Sequence, residues 1–128
     1  MPHARRMNGT SLLLAGVMGF LGVALGAFGA HGLRSSLAGK PDADQRLAWW
    51  QTGAQYHLVH ALAIGLCAVA AAGAAAWLFL GGIVLFSGSL YLMTLTGKRA
   101  LGAVTPIGGL LFLAGWIAIV LAAVRPGP

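Results

Sequence analysis

The sequence predicts an all-α fold, a bundle of four transmembrane helices in a single domain that spans residues 1–128. Three observations lead to this prediction. Hydrophobic residues make up 59% of the 128 positions and charged residues 8%, whereas a soluble domain has about 25% charged residues. A membrane-spanning helix requires about 20 apolar residues, so the chain has room for four. Polar and turn-forming residues divide it into four apolar segments, which predict helices at about 8–30, 43–72, 75–95 and 106–124.

The first predicted helix carries small residues along one face, and such side chains let a second membrane helix approach closely. We therefore expect this face to be a packing surface. Its apolar run is longer than the core of a signal peptide, which has roughly 7–15 residues, so we expect no cleavage after Gly29 or Ala30. An intact-mass measurement would check this expectation. The small residues of the face are Ala15, Gly19, Gly22, Gly26 and Ala30.

The second predicted helix follows a polar connection at 31–40. Asp42 followed by Gln45 has the spacing of a capping box, which predicts that the helix begins near Ala43. Trp49 and Trp50 have the amphipathic rings that settle at a membrane surface. The beginning of this helix is therefore expected at the interface.

The third and fourth helices are bounded by short connections. An uncharged turn at 71–76, around Gly73, precedes the third helix. Thr105 can cap the fourth helix, and Pro106 suits its first turn because a proline has no N–H to leave unpaired. Basic residues occur at both membrane surfaces, so the orientation of the termini stays open.

Polar side chains should gather in one half of the bundle, because the first and third connections emerge on the same side of four spans. Polar groups inside a bilayer are costly unless they find partners. We interpret this cluster as structural hydrogen bonding, with Tyr91 and Ser87 as partners of His57 and His60. The alternative is ligand binding, since three histidines can ligate a metal or haem. The predicted cluster contains His31, Tyr56, His57, His60, Ser87, Ser89, Tyr91, Thr94 and Thr105.

Charge and residue type exclude several classes of function. The net charge is +6, but the basic residues lie at segment ends and form no stripe with aromatic residues, so they favour headgroup contact over nucleic-acid binding. The only acids, Asp42 and Asp44, lie in the first connection. Ion-coupled carriers, small multidrug antiporters among them, need an intramembrane carboxylate. The sequence shows no set of nucleophile, general base and general acid, so we expect no enzyme, no cofactor and no metal. Cys67 is expected to be a small buried hydrophobic residue.

Four ordered motifs also resemble a known family. They are LGAFGAHGL at Leu25–Leu33, W-x-T-G-x-x-Y-x-x-x-H-x-L-A at Trp50–Ala63, LFSGSLY at Leu85–Tyr91 and TPIGGxxFLAGW at Thr105–Trp116. Together they resemble the YgdD-like family of small bacterial inner-membrane proteins, which has an animal transmembrane counterpart. The resemblance implies a four-helix integral membrane protein of the bacterial inner (plasma) membrane, and it implies no activity.

Two hypotheses of function remain. The first is a non-enzymatic accessory or scaffold protein in the lipid bilayer, which self-associates or binds a membrane-protein partner; the small-residue face favours it. The second is a protein whose polar half binds a small ligand, such as a metal, haem, a quinone or a lipid headgroup; the histidines favour it.

Overall fold

Four long helices are present in the computed structural model, which describes residues 7–125. Each is long and apolar enough to cross a membrane, and no strand occurs among the residues described. This confirms the predicted all-α, four-span fold. The helices are α1 (Gly9–Leu37), α2 (Ala43–Ala70), α3 (Gly73–Thr96) and α4 (Thr105–Val124), with a 3₁₀ turn at Arg99–Ala103 before α4.

Helix α1 is longer than predicted, because most of the segment assigned to a polar connection is helical. It is α-helical over Gly9–Phe28, π-helical over Gly29–Leu33 and α-helical again over Arg34–Leu37. Leu33 and Leu37 lie four residues apart on one face, and both are buried against the start of α2. This apolar contact explains why the helix continues past the predicted end.

The predicted caps of α2 and α4 are wrong. Asp42 precedes α2, but its side chain makes no capping bond and lies 3.7 Å from Arg46 instead. Thr105 is the first residue of α4, not its cap, and its hydroxyl lies 2.6 Å from that of Ser89. The turn before α3 is centred on Ala71, which has a positive φ of 56°, while Gly73 already belongs to the helix.

The helices form a row in which α2 lies between α1 and α3, and α3 lies between α2 and α4. The half of the row near the α2–α3 turn has an apolar core. Phe79 fills the space left by Gly115, and Phe112 fills the space left by Gly82. Cys67 is fully buried in the same core, as expected for a small hydrophobe.

Only part of the small-residue face of α1 packs closely. A Cβ atom at Gly22 would lie 2.7 Å from Cδ2 of Leu58 on α2, whereas Cβ atoms at Gly19 and Gly26 would meet nothing within 4 Å. Ala30 is exposed. The prediction is therefore correct for Gly22 and wrong for Gly19 and Gly26, because α1 contacts α2 along a narrower line than the stripe of small residues.

Candidate functional site

His57 and Tyr91 connect α2 to α3 in the polar half of the protein. His57 is 3% exposed, and its Nδ1 shares a hydrogen bond of 2.9 Å with the Tyr91 hydroxyl. The Tyr91 ring lies 4.5 Å from the ring of Trp50, measured between centroids, and passes over Gly53, where a Cβ would lie 3.1 Å from Cε1. This pair is one of the predicted partnerships.

The other ring nitrogen of His57 points towards α1. Its Nε2 is buried and has no hydrogen-bond partner among residues 7–125. A Cβ at Gly22 would lie 3.3 Å from the adjacent Cδ2, so a glycine is needed where the ring approaches the α1 backbone. This is the one buried side-chain nitrogen or oxygen in the described chain that lacks a partner.

His60 makes different contacts from the predicted ones. Its Nδ1 lies 2.7 Å from the Tyr56 carbonyl and therefore carries the proton. Its Nε2 is then free to accept the indole N–H of Trp116 on α4 over 3.1 Å. Both nitrogens of one neutral tautomer are thereby satisfied. Tyr91 and Ser87 are not its partners, because three residues along a helix turn the side chain by about 60° away from His57.

The predicted serine and threonine residues bond backbone and side-chain acceptors between neighbouring helices. Ser87 donates to the Gly53 carbonyl over 2.7 Å, and Thr94 donates to the Arg46 carbonyl over 2.9 Å. Ser89 and Thr105 share a bond of 2.6 Å that joins α3 to α4. These bonds agree with the structural interpretation of the cluster.

Arg46 belongs to this polar half, although it is not among the residues of the predicted cluster. It is 8% exposed, and it donates from Nε to the Thr94 carbonyl over 2.7 Å and from a terminal nitrogen to the Leu95 carbonyl over 3.1 Å. Those carbonyls end α3, where no further helical N–H follows. The sequence signal that could have indicated this role is Gly97. A glycine in the left-handed conformation ends α3, and the last carbonyls of a helix need donors from elsewhere.

Trp50 also has a structural partner that the sequence did not indicate. Its indole N–H donates to the Leu25 carbonyl over 2.7 Å, just before α1 becomes π-helical. The ring occupies the space above Gly29, where a Cβ would overlap it. Trp50 is thus buried between helices and not held at the membrane surface.

The side chains of two predicted members of the cluster make no hydrogen bond within the described residues. His31 is exposed in the π-helical part of α1, so the structure does not bring three histidines together. Tyr56 is 43% exposed, and its ring stands at the outer surface of α2. No group of three or more histidine, cysteine or acidic residues that could hold a metal occurs in the described part of the chain.

Two of the surface grooves in the described part of the chain lie between helices. The first, which we call the small-residue groove, has a volume of about 560 Å³ and lies between α1 and α2. The second, which we call the aromatic groove, has a volume of about 440 Å³ and lies between α2, α3 and α4. The small-residue groove is lined by Ala15, Gly16, Gly19, Val23, Leu58, Ala61, Leu62 and Gly65. The aromatic groove is lined by Tyr56, His60, Phe86, Pro106, Gly109, Leu110, Phe112, Leu113 and Trp116.

Comparison with known proteins gives a consistent set of relatives. Residues 25–109 match the family model described as "Protein of unknown function (DUF423)". The UPF0382 membrane protein YwdK of Bacillus subtilis is 43% identical, over 89% of this chain and 95% of its own length. The UPF0382 inner membrane protein YgdD of Escherichia coli K12 is 40% identical, over 89% of this chain and 88% of its own length. No solved structure matches.

Proposed function

Because this chain belongs to the DUF423 family of proteins of unknown function and is an integral protein of the bacterial inner membrane, we propose its function from its geometry alone. The protein is a non-enzymatic accessory or scaffold subunit that acts by packing against another membrane helix, either from a second copy or from a partner protein. The small-residue groove between α1 and α2 is the observation that supports this proposal.

The groove has the form that a transmembrane helix fits. Gly16 and Gly19 leave open space on α1, where a Cβ would meet nothing within 4 Å. Gly65 continues the groove on α2, and Leu58 and Leu62 border it. Membrane helices associate through close packing at small residues, since lipid offers no hydrophobic drive between them. Glycines that no helix within residues 7–125 covers therefore favour packing by a helix from another chain.

The chemistry of the polar half supports a non-enzymatic role. Its serine, threonine and arginine side chains donate to carbonyls or to one another, and His60 uses both ring nitrogens within the protein. These groups are engaged in holding helices together and are not free to act on a substrate. The metal and haem versions of the ligand-binding hypothesis gain no support, because His31 lies apart and His57 and His60 face different helices.

Cysteine crosslinking in native membranes tests the proposal. Val23 is 63% exposed beside the groove, so Val23→Cys supplies an accessible thiol, while Cys67 is buried. We expect oxidation to give a disulfide-linked species, either of twice the mass of the chain or with an identifiable membrane protein. Gly16→Leu, which fills the groove, should reduce the yield of the disulfide-linked species at least tenfold. Gly109→Leu, on the opposite flank of the row, is the matched control and should leave it unchanged. Equal yields from the two variants would refute the proposal.

A further inference from the structure

The aromatic groove is walled by rings that face one another at short distances. The Tyr56 and Phe86 centroids are 4.6 Å apart, those of Phe86 and Phe112 are 5.3 Å apart, and His60 stacks on Phe112 at 3.6 Å. Trp116 closes one end, 5.9 Å from His60. Gly109 leaves the floor open, because a Cβ there would come no closer than 3.8 Å to Phe86. The volume of about 440 Å³ falls within the range of roughly 300–1,000 Å³ of ligand sites.

A row of exposed polar groups leads into this groove. Gln51, Thr52, Gln55 and Tyr56 are all exposed on the outer surface of α2, and Gln55 lines a recess of about 320 Å³ that shares Tyr56 and His60 with the aromatic groove. Gln55 lies about 7.5 Å further into the membrane than Trp50 along the helix axis. Amide and hydroxyl groups that face hydrocarbon without a hydrogen-bond partner cost free energy. This row of polar groups would therefore be stabilised by a polar group of a molecule dissolved in the bilayer.

We propose that the aromatic groove binds a lipid-soluble quinone, with its ring lying against the aromatic side chains that line the groove and a ring carbonyl accepting a hydrogen bond from the Tyr56 hydroxyl or the Gln55 amide. The walls match a planar ring, which stacks on aromatic side chains. The polar groups at the entrance are neutral and include two kinds of donor, which suits a neutral carbonyl acceptor. The isoprenoid or alkyl tail extends along the exposed surface of α4 beside Leu113. This proposal is independent of the packing role assigned to the small-residue groove.

The composition of the groove separates a quinone from a phospholipid. No lysine or arginine lines the groove or the adjoining recess, whereas a phosphate group is bound by charge-assisted bonds from such residues. A flexible acyl chain makes no specific stacking contact with the five aromatic and imidazole rings that line the groove. A neutral ring with acceptor oxygens is therefore the occupant that uses both the walls and the entrance.

Tryptophan fluorescence of the full chain in detergent tests this inference with a decyl-substituted benzoquinone as the probe. Quinones quench nearby indoles, and Trp116 lines the groove, so the wild type should show a saturable quenching component. Gly109→Leu should weaken it at least tenfold by filling the groove, and Tyr56→Phe should weaken it about fivefold by removing one donor. Gly16→Leu, in the small-residue groove, should bind the probe as the wild type does. The quenching that remains in Gly109→Leu gives the background from quinone dissolved in the micelle.

Two results would overturn the inference. One is identical quenching by wild type, Gly109→Leu and Gly16→Leu. The other is native mass spectrometry in which the wild type retains a phospholipid that the quinone does not displace and that Gly109→Leu loses. Leu113→Phe narrows the groove from an exposed position without adding an indole, and it replaces Gly109→Leu if thermal unfolding shows that variant to be misfolded. A Leu113→Phe variant that is folded and binds the probe like the wild type would equally contradict the inference.

Discussion

Trp116 donates its indole N–H to Nε2 of His60 over 3.1 Å and so joins α4 to α2 past the edge of α3. Replacing His60 by leucine removes the acceptor and leaves the indole N–H without a partner, which costs roughly 1–3 kcal/mol when the group is buried. We expect a double-mutant cycle of His60→Leu and Trp116→Phe, measured by thermal unfolding in detergent, to give a coupling of about 0.6 kcal/mol, the usual size within membranes. Strict additivity would mean that the bond contributes nothing.

The His57–Tyr91 pair should behave as a separate unit. We expect coupling between His57→Leu and Tyr91→Phe, because each change deprives the other side chain of its partner across 2.9 Å. The cycle of His60→Leu with Tyr91→Phe should instead be additive within about 0.5 kcal/mol. A coupling in the second cycle as large as in the first would contradict the contacts described above.

Arg46 should be essential for the end of α3. Arg46→Met keeps much of the apolar stem but removes the donors to the Thr94 and Leu95 carbonyls. We expect it to lower the unfolding free energy by roughly 1.5–3 kcal/mol, the range for a hydrogen bond to a charged group. Arg46→Lys should recover less than half of the loss, since an ammonium group cannot reproduce the planar fork of donors. Hydrogen exchange of the amides at 93–97 provides a local readout, and unchanged protection in Arg46→Met would refute this role.

Two glycines of α1 should differ in their tolerance of leucine. At Gly22 a Cβ would lie 2.7 Å from the Leu58 side chain, whereas at Gly26 it would meet nothing within 4 Å. We expect Gly22→Leu to destabilise by about 1–3 kcal/mol through overpacking, and Gly26→Leu to have little effect. Thermal unfolding of the two variants side by side decides the point. A larger loss for Gly26→Leu would mean that α2 contacts α1 at Gly26 and not at Gly22.

The neighbouring glycines of α4 form a second matched pair. A Cβ at Gly108 would overlap the backbone of Phe86, while one at Gly109 would make ordinary contact at 3.8 Å. We expect Gly108→Ala to destabilise by about 1–3 kcal/mol or more, because backbone cannot move aside as a side chain can. Gly109→Ala should fall within about 0.5 kcal/mol of the wild type. Equal melting temperatures would mean that α4 does not approach α3 through Gly108.

The sequence predicted the number of helices well, because the length of an apolar run is set directly by membrane thickness. It also predicted the His57–Tyr91 pair, since both residues lie at similar depth on antiparallel neighbours. The same reasoning failed for Gly26 and His60. Periodicity shows which residues share a face of a helix, but it does not show which neighbour that face meets. The contacts of His60 with Phe112 and Trp116 on α4 depend on the tertiary arrangement of the helices.

Arg46 and Trp50 were missed for another reason. Their acceptors are backbone carbonyls of Thr94, Leu95 and Leu25. Gly97 indicates where α3 ends, but the sequence does not show which side chain donates to the carbonyls there. A charged residue and an indole near the start of a membrane helix are equally typical of headgroup contact. The π-helical part of α1, which carries Leu33 onto the start of α2, likewise follows from tertiary contact and not from local preference.

The spatial order of the helices has a consequence for biosynthesis. Because α2 packs on α1, α3 on α2 and α4 on α3, each newly made span finds its main docking surface on the span inserted just before it. No helix has to wait beside the translocation channel for a distant segment to be translated. The contacts of His60 with α4, which are its stacking on Phe112 and its bond from Trp116, are an exception. The acceptor on α2 is filled only when the last helix enters the membrane, so this bond marks the completion of insertion.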